Sequence, residues 1–170
     1  CPLTCERLAC AEPVGEVKAQ AEYGYNDQGG IYLDTDVELI KPLDDLIEKC
    51  GYMGFDDNGL VSTGLGFACE KGNELVAKLL SDYDDIPFVL SDGTCDLTPC
   101  PDRNTKTLKK LGMDTDNKDQ VFMGIRMLPE DYLCPMKYYT GKKVITKNTY
   151  SIHHFCASWT SKTSKRTLLI

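Results

Sequence analysis

Gly29-Gly30-Ile31-Tyr32-Leu33-Asp34-Thr35-Asp36-Val37 is the stretch on which the reading of this chain turns. Two glycines open a run of bulky β-formers, and the run ends in two acids one residue apart. Such a run, lacking polar alternation, predicts a strand buried on both faces. Side chains alternate across a strand, so Asp34 and Asp36 are expected to point the same way from its C-terminal end. Two convergent carboxylates repel each other and resist burial unless something positive stands between them. A hard divalent cation, Mg2+ or Mn2+, suits oxygen donors and bridges to phosphate oxygens. The three letters D-x-D are short, and a solvated acidic loop is their commoner source.

Outward from this strand, helical and strand-like segments alternate. Residues 43–50 have helical spacing, with Asp44 and Asp45 in the first turn, and Gly51 breaks the helix. Residues 52–55 read as a short strand ending in Asp56-Asp57-Asn58-Gly59, and 64–69 as another. Asn73 is a natural N-cap for a helix over 73–83, whose Leu75, Val76, Leu79, Leu80 and Tyr83 share one face. A second helix is expected over 105–111, capped by Asn104 and closed by Gly112. Residues 121–128, 143–146 and 149–155 read as strands, 16–23 as helical, and 160–166 as a polar, basic tail. The alternation predicts an α/β domain with a mixed sheet flanked by helices, its ligand at the C-terminal ends of strands.

The totals limit the partners. The 170 residues carry a net charge of -7, a field that repels polyanions and argues against nucleic acid. An anionic small substrate then needs a recruited cation. No apolar run reaches the roughly 18–20 residues of a bilayer span, and the first residues lack the apolar stretch of a signal peptide. The nine cysteines include no CxxC pair. They read as reduced thiols of a cytoplasmic protein, with peripheral contact at the inner membrane face left open.

Two further clusters carry chemistry. Asp114-Thr115-Asp116 repeats the acidic pattern without a preceding strand and reads as a surface turn. Neither copy makes an EF-hand, because Leu39 or Asp119 stands where that loop needs glycine. Tyr150-Ser151-Ile152-His153-His154-Phe155-Cys156-Ala157-Ser158-Trp159 holds both histidines and the one tryptophan. Imidazole can ligate a metal or donate to phosphate, and an indole N–H can donate at the rim of a site. A zinc hydrolase site from His153, His154 and Cys156 is a competing reading, weakened because neighbouring residues on a strand face opposite ways.

In order, the Gly29–Asp36 stretch with 37–46 (VELIKPLDDL), 59–72 (GLVSTGLGFACEKG), 96–101, 127–135 and 149–159 (TYSIHHFCASW) resembles the DXD-containing sugar-binding region of glycosyltransferase family 32, capsular-polysaccharide type. The resemblance covers roughly residues 29–160, with 1–28 an atypical N-terminal segment and 161–170 a tail. It implies a GT-A-like, Rossmann-related fold and retaining transfer of a hexose from a nucleotide-sugar donor to a glycan or polysaccharide acceptor. It implies Mn2+ or Mg2+ held by Asp36 with His153 or His154, and Asp34 on ribose or sugar hydroxyls. Gly30, Tyr32, Thr63, Gly64, Ser158 and Trp159 fall at its substrate-binding positions, and Asp56 and Asp57 are the acids nearest an acceptor face. Residues 1–28 carry no serine–aspartate…arginine motif, so the expected fold lacks part of the N-terminal nucleotide-binding half. A non-catalytic remnant that binds a cation or sugar is the alternative.

Overall fold

The computed structural model describes residues 27–48, 50–84, 86–87 and 89–156. The helical reading of 16–23, the tail, Ser158 and Trp159 lie outside these residues.

The domain is mixed α/β, built on one mixed sheet. Its strands are β1 (Gly30–Tyr32), β3 (Gly51–Phe55), β4 (Val61–Ser62), β5 (Phe67–Cys69), β6 (Gln120–Phe122) and β7 (Ile125–Leu128), in the order β1-β5-β3-β7-β6 with β4 paired to β3. β1 is antiparallel to β5, β5 is antiparallel to β3, and β3 is parallel to β7. Hence β1, β3 and β7 run the same way, and the segments after all three leave from one edge of the sheet. A separate antiparallel ribbon joins β2 (Val37–Leu39) to β8 (Ser151–His153).

The core follows the apolar spacing. β3 is buried along its whole length, and α2 (Glu74–Ser81) lays Leu75, Val76, Leu79 and Leu80 against Met53, Phe55, Phe67 and Met127. Asn73 caps α2 as its sequence predicts, accepting from the N–H groups of Leu75 and Val76. Gly51 is required by packing: a Cβ there would stand 2.1 Å from the Ala68 carbonyl oxygen across the sheet. α1 (Asp44–Ile47) and α4 (Glu130–Leu133) cover a second cluster around Tyr52, Leu65 and Leu128.

Several expectations are corrected. The Gly29–Val37 run is not one strand buried on both faces. It divides into β1, an edge strand with Gly30 and Ile31 exposed, and β2, which belongs to the other sheet. Residues 121–128 form a hairpin rather than one strand, because Met123 (φ 46°) and Gly124 (φ 78°) make a two-residue turn with both residues left-handed. α3 spans Cys100–Lys110, a turn earlier than expected, with Pro99 at its cap. Asn104 therefore lies buried inside the helix instead of capping it. Residues 143–146 supply a single bridge, Met136 to Lys143. Within 64–69 only β5 is a strand, preceded by a 3-10 turn at Thr63–Leu65.

Candidate metal centre

The two acids lie between β1 and β2. The chain turns at Thr35 and Asp36, and the Val37 N–H closes the turn on the Asp34 carbonyl at 3.1 Å. The carboxylates thus converge through a turn, and the expected strand alternation is not the cause. Register then supplies the third group. Val37 pairs with His153 across the β2–β8 ribbon, which places the imidazole beside the turn. His153 Nε2 stands 3.7 Å from Asp34 Oδ2 and 3.4 Å from Asp36 Oδ1.

One ligand atom from each of Asp34, Asp36 and His153 lies within 4.8 Å of the other two. Adjacent donors around an octahedral ion at about 2.1 Å stand about 3 Å apart, and opposite ones just over 4 Å. A small inward movement of the acids therefore suffices to enclose a cation. Two carboxylates and one imidazole suit Mn2+, which accepts both donor types.

Each of the three side chains is held by one atom and offers the other. Tyr32 Oη donates to Asp34 Oδ1 at 2.5 Å, leaving Oδ2 facing the imidazole. The Cys156 N–H donates to Asp36 Oδ2 at 2.8 Å, leaving Oδ1 inward. The Phe155 N–H donates to His153 Nδ1 at 3.1 Å, leaving Nε2 inward. The outer partners of the two acids are of the kind that fix ligand direction in metal sites, whereas a metal-bound histidine donates from its second nitrogen. With Nδ1 accepting, the ring carries its proton at Nε2, where a cation would take its place. The Phe155 N–H must then turn aside, and Phe155 already holds an uncommon left-handed backbone at φ 50°.

The backbone locks this arrangement to both sheets. The Asp34 N–H reaches the Gly64 carbonyl at 3.4 Å, and the His154 N–H reaches the Asp36 carbonyl at 3.0 Å. Thr63 and Gly64 are buried directly behind Asp34, with the Thr63 hydroxyl 3.4 Å from Cys100 Sγ. Gly30 is exposed on β1, away from the carboxylates.

His154 does not join. Its Nε2 lies 2.8 Å from Glu38 Oε2 at an exposed position, so the expected metal set of Asp36, His153 and His154 becomes Asp34, Asp36 and His153. Cys156 meets Asp36 through its backbone, and the trio His153, His154 and Cys156 does not form a zinc site. β8 ends at His153, and Cys156 lies beyond the left-handed Phe155, so neither His154 nor Cys156 shares the direction of His153.

Asp56 and Asp57 follow β3 at the same sheet edge, but neither is among the metal-ligating atoms. Asp56 Oδ1 accepts from the Asn58 and Leu60 N–H groups at 2.8 and 2.9 Å, shaping the β3–β4 turn. Burial pushes its carboxyl pKa up, against the pull of those two hydrogen bonds. Asp57 Oδ2 accepts from the Tyr138 N–H at 3.0 Å, while Oδ1 is buried with no partner among the described residues. The same burial pushes the nearby Cys134 thiol up to about 12, an inert group rather than a nucleophile.

An aromatic series, which no sequence period announces, runs outward from the centre. The Phe155 ring lies 4.3 Å from His153, Tyr138 meets Phe155 edge-on at 5.2 Å, and Tyr139 meets Tyr138 edge-on at 5.1 Å. No protein family, curated protein or solved structure matches the chain, so the likeness to glycosyltransferase family 32 rests on the residues themselves.

Proposed function

We propose that the chain is a metal-dependent retaining glycosyltransferase. It would move a hexose from a nucleotide-sugar donor to a glycan or polysaccharide acceptor. The observation that carries this reading is the convergence of Asp34, Asp36 and His153, with one oxygen of each acid held from outside and the other facing the imidazole. The net charge of -7 opposes an anionic diphosphate. A cation at this centre would neutralise the negative charge that develops on a departing nucleoside diphosphate. Asp34, Asp36 and His153 hold and orient it, and Tyr32 fixes the direction of Asp34. The buried Thr63–Gly64 segment keeps the turn in place, so that little reorganisation remains when the donor binds.

The test is release of nucleoside diphosphate from sugar nucleotides in the presence of Mn2+. Release should stop on chelation and fall by more than about 100-fold in Asp36→Ala, beyond the effect of removing an outer partner. Full activity in that variant would end the proposal.

Asp56 and Asp57 both spend a carboxylate oxygen on backbone N–H groups, which favours a second reading, donor binding without transfer. Calorimetry separates the two: Mn2+-dependent donor binding with no diphosphate release selects the second.

A further inference from the structure

We infer that the loop bearing Tyr138 and Tyr139 seats the acceptor sugar, with the Tyr139 ring stacked against the C–H face of a pyranose. The inference rests on the transferase reading above and names its acceptor side. The loop is built rigidly. The Lys137 N–H bonds the Lys142 carbonyl at 2.9 Å and the Gly141 N–H bonds the Lys137 carbonyl at 2.8 Å, closing a tight hairpin. Lys137 Nζ reaches both carboxylate oxygens of Glu130 at 2.9 Å, and Asp57 clamps the Tyr138 N–H. A hairpin tied at three places does not collapse, yet its tip leaves Tyr139 60% exposed. An aromatic ring held out into water on a fixed loop is a contact waiting for a partner.

Position says which partner. The rings step from Tyr139 through Tyr138 and Phe155 to His153, so the loop adjoins the centre where the donor sugar would be released. Tyr138 lies between Phe155 and Tyr139, meeting both edge-to-face, and Tyr139 is the outermost ring of the series and the exposed one. A tyrosine offers an apolar face and a hydroxyl tip, matching a pyranose, which has an apolar C–H face and a rim of hydroxyls. A nucleobase would instead favour flat faces on both sides, and this loop offers one.

Ligand-observed NMR with the full chain and Mn2+ tests this, using a panel of neutral disaccharides and, separately, uridine and guanosine. A disaccharide should bind with paramagnetic broadening from Mn2+. Tyr139→Ala should weaken it about five- to tenfold, the worth of one aromatic contact. Tyr139→Phe should stay within about twofold, since the ring persists. Mn2+ affinity, read by electron paramagnetic resonance, should be unchanged in both variants. Disaccharide binding unaffected by Tyr139→Ala, loss of nucleoside binding in its place, or no disaccharide binding at all would overturn the inference while the metal proposal stands. Failure of the wild-type chain to bind Mn2+ would strike the metal proposal instead.

Discussion

Asp34-Thr35-Asp36 and Asp114-Thr115-Asp116 spell the same three residues, and the fold makes different objects of them. In the second, the Asp116 N–H bonds Asp114 Oδ1 at 2.9 Å, and Lys118 Nζ lies 3.1 Å from a carboxylate oxygen of each acid. The charge is balanced by an ammonium four residues along the same chain, with the acid side chains 48% and 71% exposed. In the first, the acid side chains are 19% and 20% exposed, and the group that meets them arrives from β8, more than a hundred residues later. His153 Nδ1 accepts from the Phe155 N–H, so the ring meets the two acids through Nε2. One acidic pair is therefore met by a lysine of its own turn, and the other by an imidazole that the β2–β8 register brings in.

The sharpest way to break this comparison is to remove an acid from each pair and measure Mn2+ affinity. Asp36→Ala should lose more than about 100-fold, since a ligand disappears together with the inward direction it shares with His153. Asp116→Ala should change nothing measurable. Equal losses, or none, would show that the two pairs are alike after all.

Stability without metal should move the opposite way from affinity at the first pair. Two carboxylates near one imidazole repel, so Asp34→Asn removes repulsion and keeps an oxygen for the Tyr32 hydroxyl. Its metal-free form should gain about 1 kcal/mol, near 2–4 °C in Tm for a chain of this length, while Mn2+ binding weakens at least tenfold. His153→Ala should lower metal-free stability by about 1–3 kcal/mol, because the residue is 9% exposed, packs on Phe155, and stands beside both acids. Thermal melts in chelator and in Mn2+ check both. A metal-free Asp34→Asn less stable than wild type would mean that the pair is not strained.

Part of this could be read beforehand. The α2 cap and face, the buried β3 and the mixed sheet all come from short-range rules that the burial of Met53, Leu75 and Leu79 respects. The sequence also singles out Asp34, Asp36 and the histidine pair, of which the structure brings Asp34, Asp36 and His153 together, and strand alternation already sets His153 and His154 on opposite sides. Which histidine turns inward depends on the pairing of Val37 with His153, a long-range register that no local pattern encodes. The turn at Thr35 and Asp36 hid because β-formers continue on both sides of it. The outer partners hid more completely: the N–H groups of Phe155 and Cys156 are backbone atoms, and any residue but proline supplies them.

The smallest effect belongs to the second pair, and its pH dependence gives its sign. The Lys118 hydrogen bond, followed by the Asp116 N–H, holds the Asp114 carboxyl below its ordinary range, and the two acids raise Lys118. A depressed carboxylate contributes stability that is present above the ordinary aspartate value, about 3.9, and fades as pH falls below it toward the folded value. Both partners are exposed, so Lys118→Met should lower Tm by no more than about 2 °C at pH 7 and 0.1 M salt. The gap should close as pH falls through the folded Asp114 value. The same variant removes the tethered cation, yet Asp114 and Asp116 still lack an inward-held third ligand and a partly buried setting. Mn2+ should then bind there at best weakly, in the millimolar range expected of exposed carboxylates. If freeing this pair of Lys118 gave it the affinity of Asp34 and Asp36, two neighbouring acids alone would define the site, and the outer partners of the first pair would be ornament.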